Sequence, residues 1–231
     1  FYRFANKEPN KLAIVGPNEE LVSRGELLSK ANKLTHALRD LGLKKFDTVA
    51  VVLPNSVEYF VVYMACLQAG FYLVPINWHL AGPEIAYILE DSEAKAFIAS
   101  GKNPDMEKAC INAVSEISFD KKGCITIDEL EGFRHIDDFT KSMPDENPHD
   151  RSAGQVMNYT SGTTGKPKGV KRNLVEGDPD DVLSLFAMIF SFYNIQPEDE
   201  NVHIVGSPLY HTAVIVHSTA SLHYGLSLIH I

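Results

Sequence analysis

Apolar residues recur every three or four positions at Leu27, Ala31, Leu34, Leu38 and Leu41, the spacing of one helical face. Ser23-Arg24-Gly25-Glu26 in front of them has the form of a capping box. Gly42 behind them suits a helix C-cap. The pattern then changes. Asp47 to Leu53 is a short, nearly unbroken apolar run, as expected of a buried strand. A second helix is expected from Val57 to Ala69, opened by Pro54-Asn55-Ser56 and stopped by Gly70. Tyr72 to Ile76 reads as a strand, Pro83 to Leu89 as a helix and Ala94 to Ala99 as another strand. Strands that alternate with helices imply parallel pairing and an α/β sheet.

Residues 101 to 128 continue as helix, turn and a short strand from Cys124 to Ile127. Residues 129 to 153 are polar, with Asp137, Asp138, Pro144, Asp145, Glu146, Pro148 and Asp150, and read as a solvent-exposed connection. That divides the chain into a first α/β piece with its polar connection, residues 1–150, and a second α/β piece from 151 to 231. Gly154 to Tyr159 is the next expected strand. Asp178-Pro179-Asp180-Asp181 could suggest a metal site, but fits a helix start better. Asp178 would cap, Pro179 would take the first position, and the acids would suit the positive end of the dipole. That helix is expected to run to about Tyr193, followed by a strand at Val202 to Val205 and an apolar helix to about Tyr224. His217 and His223 lie six apart, off one helical face, and read as structural.

The chemistry is concentrated in Tyr159-Thr160-Ser161-Gly162-Thr163-Thr164-Gly165-Lys166-Pro167-Lys168-Gly169-Val170. Glycine lets a ligand approach the backbone closely, and successive N–H groups in a turn can hold an anion. Hydroxyls add donors and lysines add charge, so the stretch suits a polyphosphate. The bland alternative is a solvated turn. It is not the usual P-loop, because Thr160 stands where that motif needs Gly and Pro167 where it needs Ser or Thr. The order Thr-Ser-Gly-Thr-Thr-Gly-x-Pro-Lys-Gly instead resembles, at every position, the phosphate-loop signature of the adenylate-forming enzymes. These comprise acyl-CoA synthetases, luciferases and the adenylation domains of peptide synthetases.

Further stretches resemble the same family. They are Leu43 to Ala50, Cys66 to Asn77, and Pro208-Leu209-Tyr210-His211, which is similar to a Pro-x-aromatic-His segment beside the acyl pocket. This chain departs from the pattern at Phe46, where Gly is usual, and at Arg24, where an aromatic is common. The resemblance implies a fold in which mostly parallel sheets are flanked by helices, the partial large N-terminal domain of such an enzyme. It also implies ATP, Mg²⁺ and coenzyme A as cofactor and co-substrates and a small-molecule carboxylic acid as substrate. Thr160, Ser161, Gly162, Thr163, Thr164, Gly165, Lys166 and Lys168 would bind ATP phosphates. Lys168 and Thr163 would act in catalysis, and Thr160 would sit near the metal. Tyr210, His211 and Ala213 would meet the acid. The adenine and ribose motifs and the small C-terminal domain with its catalytic lysine are not found, and the chain is expected to be an N-terminal fragment, inactive by itself. Ser227 to Ile231 match nothing expected there and need not belong to the native frame.

Composition adds limits. The chain has 231 residues, 45% hydrophobic, and a net charge of −9. That is an ordinary globular composition, and its acidity argues against a general nucleic-acid binder. No apolar stretch approaches the roughly 20 residues of a membrane span. Cys66, Cys110 and Cys124 lack motif spacing and suggest free thiols in a reducing, cytoplasmic setting. The expected activity is ATP-dependent activation of a carboxylic acid to an acyl-adenylate and then to its CoA thioester. The segment after Tyr210 offers no acid that could pair with a substrate ammonium, so an apolar, uncharged acyl group is expected. The alternatives are an amino-acid adenylation domain or luciferase, a non-catalytic nucleotide-binding module, and a phosphotransfer enzyme.

Overall fold

A computed structural model describes residues 1–160 and 166–230; the expectations that fall on Ser161 to Gly165 lie outside the described residues. The chain begins with α1 (Tyr2–Lys7), β1 (Leu12–Val15), β2 (Leu21–Ser23) and α2 (Arg24–Asp40). The capping box forms as the sequence predicts, with Ser23 accepting from the Glu26 amide and Glu26 accepting from that of Ser23. Then come β3 (Thr48–Val52), α3 (Val57–Ala69), β4 (Tyr72–Pro75), α4 (Gly82–Asp91), β5 (Ala94–Ala99), α5 (Pro104–Glu116) and β6 (Cys124–Thr126). Gly70 stops α3 with φ +73, in the left-handed region expected of a C-cap.

These strands, with β7 (Arg134–His135) and β8 (Gln155–Val156), form a six-stranded sheet in the order β7-β6-β5-β3-β4-β8. Every neighbouring pair in it is parallel. Its apolar runs alternate between two cores. Val49, Val51, Leu73, Ala96 and Ile98 share one cluster with α2 and α3. Ala50, Val52, Val74, Phe97 and Ala99 share the other with α4 and α5. A sheet covered on both faces needs such unbroken apolar strands, which is why the central strands were legible as continuous runs.

The stretch 129–153 is more ordered than its polar composition suggests. It contains β7 and a short helix, α6 (Ile136–Thr140), with Ile136 and Phe139 buried. It then docks along α2: Asn32 donates to the Asp145 carbonyl at 2.7 Å, and Arg39 pairs with Asp150 at 2.7 Å. A few isolated apolar residues anchor the run while its acids stay in water.

Beyond β8 the chain forms β9 (Asn158–Thr160), β10 (Lys168–Val170), α7 (Pro179–Ala187), β11 (Val202–Val205), α8 (Thr212–His223) and β12 (Ser227–His230). A 3₁₀ turn over Met188–Tyr193 completes the helical stretch that the sequence reading extended to Tyr193. β12 lies between β11 and β1 in a second sheet, β11-β12-β1-β2, so Ser227 to His230, which match no expected segment, pair in parallel register on both sides. Strand pairing therefore crosses residue 150 twice, through β8 on β4 and β12 on β1.

Candidate active site

The expected strand from Gly154 to Tyr159 is two strands in the structure. β8 follows β4, and the Met157 amide still donates to the Leu73 carbonyl at 2.8 Å. β9 then leaves that sheet and pairs with β10 in an antiparallel hairpin. In this hairpin Thr160 stands opposite Lys168, and Tyr159 opposite Gly169. The two residues assigned by resemblance to metal and to phosphate are thereby brought together across one pair of strands. Lys168 and Thr160 are both exposed.

Side chains from the first half fasten both arms of this hairpin. On one arm, the Tyr159 hydroxyl donates to Asp91 at the end of α4, at 2.6 Å. Burial, then the Asp91 carboxylate, push the Tyr159 phenol pKa up, so it remains a donor. On the other arm, the Tyr87 hydroxyl donates to the Pro167 carbonyl at 3.0 Å. The Tyr87 ring also lies under the Lys166 ammonium, 4.8 Å from its centroid, a cation–π distance. Tyr87 and Asp91 are one helical turn apart and share a face of α4. Farther on, the Tyr72 hydroxyl donates to the Arg172 carbonyl at 2.7 Å. Nothing in the sequence marks these anchors. An i,i+4 Tyr–Asp pair has an ordinary reading as a solvated helix face, and only the fold puts it beside the loop.

A cleft of about 390 Å³ opens beside the hairpin. Thr160, Val170 and Arg172 line it, together with Gln155, Val156 and Asn158 of the preceding strands. Tyr63 and Leu67 of α3 and Val182, Leu183 and Phe186 of α7 add apolar surface. α8 contributes Thr212, Val216, Thr219, Ala220 and His223. Their spacing places them on one face of the helix. The first and last lie eleven positions apart, about 16 Å at 1.5 Å per residue. Among the described lining residues there is no carboxylate, and Arg172 is the side chain with a full positive charge.

Tyr210, His211 and Ala213 are not among the cleft residues; Thr212, between them, is. His211 is the N-cap of α8 without a side-chain capping bond, and its ring lies 4.4 Å from that of Tyr210. Their segment is held from the first half. Asn55 donates to the Ser207 carbonyl at 2.9 Å and accepts from the Leu209 amide at 2.8 Å. The acids Asp178 and Asp180 serve structure. Asp178 caps α7 by accepting from the Asp180 amide, and Arg151 donates to both carboxylates at 2.8 and 3.1 Å. His217 donates from Nδ1 to the Ala213 carbonyl at 2.7 Å. His223 is buried, with its Nδ1 at 3.2 Å from the Phe1 nitrogen. All three cysteines are free and buried. No helix among the described residues is long and apolar enough to cross a membrane.

Comparison with known proteins shows the family. The model of the AMP-binding enzyme family matches residues 1–231. A 2-succinylbenzoate–CoA ligase of Bacillus licheniformis is 27% identical over 229 residues, which are 97% of this chain and 42% of that protein. The long-chain-fatty-acid–CoA ligase FadD13 of Mycobacterium tuberculosis is 32% identical over 170 residues, 72% of this chain and 32% of the relative. The solved structure of ATP-bound MatB from Rhodopseudomonas palustris superimposes with a TM-score of 0.74 at 25% identity, over 99% of this chain and 44% of that one. The chain thus spans less than half the length of these relatives. With the loop motif set on an anchored hairpin and the family model matched from end to end, the chain belongs to the AMP-binding enzyme family.

Proposed function

We propose that this chain is the loop-bearing part of an acid–thiol ligase. The enzyme would convert a carboxylic acid and ATP to an acyl-adenylate and pyrophosphate, then pass the acyl group to coenzyme A. A carboxylate is a poor acyl donor, and attack on the α-phosphorus of ATP gives it a good leaving group. The observation that carries this reading is the hairpin. It sets Thr160 opposite Lys168 at the two ends of the motif, with both arms tied to α4.

Lys168 and Lys166 supply positive charge for the departing pyrophosphate, and Thr163 and its hydroxyl neighbours Ser161 and Thr164 supply donors. Gly162 and Gly165 let the chain approach the phosphates. Fixed donors aimed at developing charge act by electrostatic preorganisation, where one donor is worth on the order of a hundredfold in rate. Thr160 is exposed, and its hydroxyl oxygen would be one ligand for a Mg²⁺ ion arriving with ATP. The cleft beside the hairpin is the acid site in this reading, with α8 as one wall, while Tyr210, His211 and Ala213 stand at the start of that helix. The cytoplasm and fatty-acid metabolism are the expected setting. We retain the division at residue 150 as an order along the chain, with the loop carried by the second piece.

The cleft favours an apolar acid over an amino acid. An ammonium taken into such a site without a counter-charge is very costly, and the described lining offers no carboxylate. The test is acid-dependent ATP–pyrophosphate exchange by the longer polypeptide that carries this chain, across fatty, aryl and α-amino acids. Exchange with fatty or aryl acids supports the reading. A preference for an α-amino acid, or release of ADP and phosphate, contradicts it. The 231 residues by themselves are expected to exchange little.

A further inference from the structure

The residues that line the cleft sort by depth. Along the strand wall Gly154 is buried, Gln155 and Val156 are half-buried and Thr160 is exposed. The α8 wall has the same order: Thr219 and Ala220 are buried, Val216 is 38% exposed and Thr212 is exposed. Both walls therefore open at the end where Thr160 and Thr212 stand and close inward, where Leu67 and Leu183 are buried too. The loop motif runs on from Thr160. An acid bound with its carboxylate toward the phosphates then points its apolar end at the buried floor. Taking apolar surface out of water is favourable in proportion to its area, which favours the same orientation. Val216 stands midway. It lies four positions from Thr212 and four from Ala220, about 6 Å along the helix each way and on the same face. It lines the cleft yet belongs to none of the hydrophobic clusters among the described residues. Its bulk shapes the cleft without holding the helix in place.

We propose that Val216 is the specificity-determining residue of the cleft. Its modest side chain lets an acyl chain pass from the rim to the floor, so the acid taken is one long enough to reach beyond the first turn of α8. A short acid stops at the rim and leaves the inner apolar wall uncovered. This rests on the cleft being the acid site, as proposed above, and adds the residue that sets the length of the acid.

The experiment is acid-dependent ATP–pyrophosphate exchange by the longer polypeptide that carries this chain, with decanoate and butyrate. The quantity read is the ratio of kcat/KM, decanoate over butyrate. In the unaltered protein it is expected to exceed one by on the order of tenfold or more. In Val216→Trp, whose ring closes the way inward, it should fall by on the order of tenfold, with kcat/KM for butyrate little changed. Leu185→Trp, at an exposed position of α7 outside the cleft, should keep the original ratio. Circular dichroism checks the fold of each variant. Val216→Ala only removes bulk and gives a test that overpacking cannot spoil: kcat/KM for the broader phenylbutyrate should rise severalfold relative to butyrate. A preference for butyrate in the unaltered protein, an unchanged ratio or an equal loss for both acids in folded Val216→Trp, or no gain in Val216→Ala would each overturn the inference. Thr212→Trp, at the rim, separates it from the reading beneath it. If that variant blocks both acids, the cleft remains the acid site and the role of Val216 alone falls. If Val216→Trp and Thr212→Trp both leave exchange unchanged with every acid, the assignment of the cleft falls as well.

Discussion

Two residues that depart from the family pattern show what a single position costs and what can replace it. Phe46 stands where Gly is usual, and its φ is +77, a left-handed conformation that penalises a side chain by about 1–2 kcal/mol. Its ring is half exposed, so little packing offsets that penalty. Phe46→Gly is expected to stabilise the chain by about 1 kcal/mol, seen as a higher urea midpoint; a lower midpoint would show that the ring contributes more than its exposure suggests. Arg24, where an aromatic is common, is 2% exposed. It fills its site with charge made tolerable by Glu8 at 3.1 Å and by the Gly225 carbonyl, to which it donates. Another buried nitrogen gives the fold a pH dependence. Burial pushes the His223 imidazole well below its usual 6.5. Its pKa is lowered on folding, so the unfolded chain binds more protons and stability rises with pH. Stability should be full above the usual histidine range and decline below about pH 6.5 as the unfolded histidine takes its proton. Urea midpoints across that range check it. In His223→Phe the part of the slope below 6.5 should shrink, and an unchanged slope there would exclude His223 as its source.

At the scale of elements, the hairpin and α4 form one unit. Tyr159–Asp91 and Tyr87–Pro167 hold the two arms at 2.6 and 3.0 Å, and Tyr159 also sits against Gly169, where a Cβ would come within 2.9 Å of its ring. Tyr87→Phe and Asp91→Asn should leave the fold intact and weaken loop positioning, lowering kcat/KM for ATP on the order of tenfold. The double variant should lose less than the product of the two, because both act on one hairpin. Unchanged kinetics would show that the loop positions itself. Element type was readable in the sequence wherever burial is strong. The capping box at Ser23, the stop at Gly70 and the apolar run of β3 each have one cheap conformation. The break between β8 and β9 was not readable, because Gly154 to Tyr159 has the composition of one strand and only the pairing of Tyr159 with Gly169 shows where it turns. The order in 129–153 was hidden in the same way, by two buried side chains in an acidic run. The site divides similarly. The loop motif is local in sequence and could be found. Tyr87 and Asp91 reach it through the fold, Asn55 holds the segment before α8 in the same way, and the cleft face of α8 skips Tyr210, His211 and Ala213.

On the scale of the whole molecule, a parallel sheet with both faces covered carries a hairpin whose ends bear the charged and hydroxyl groups of the motif, beside a mostly apolar cleft. In the proposed reading the loop meets ATP and the cleft takes the acid, and each part serves its own chemical step. Pyrophosphate has left before the thioester forms, so groups assigned to it, Lys168 and Thr163, should matter for the first half-reaction alone. The most direct test is single-turnover kinetics of Lys168→Ala in the longer polypeptide that carries this chain, with the two half-reactions followed separately. The account predicts that adenylate formation from acid and ATP slows on the order of a hundredfold, while transfer to coenzyme A from preformed acyl-adenylate is nearly unchanged. Equal slowing of both steps would contradict it.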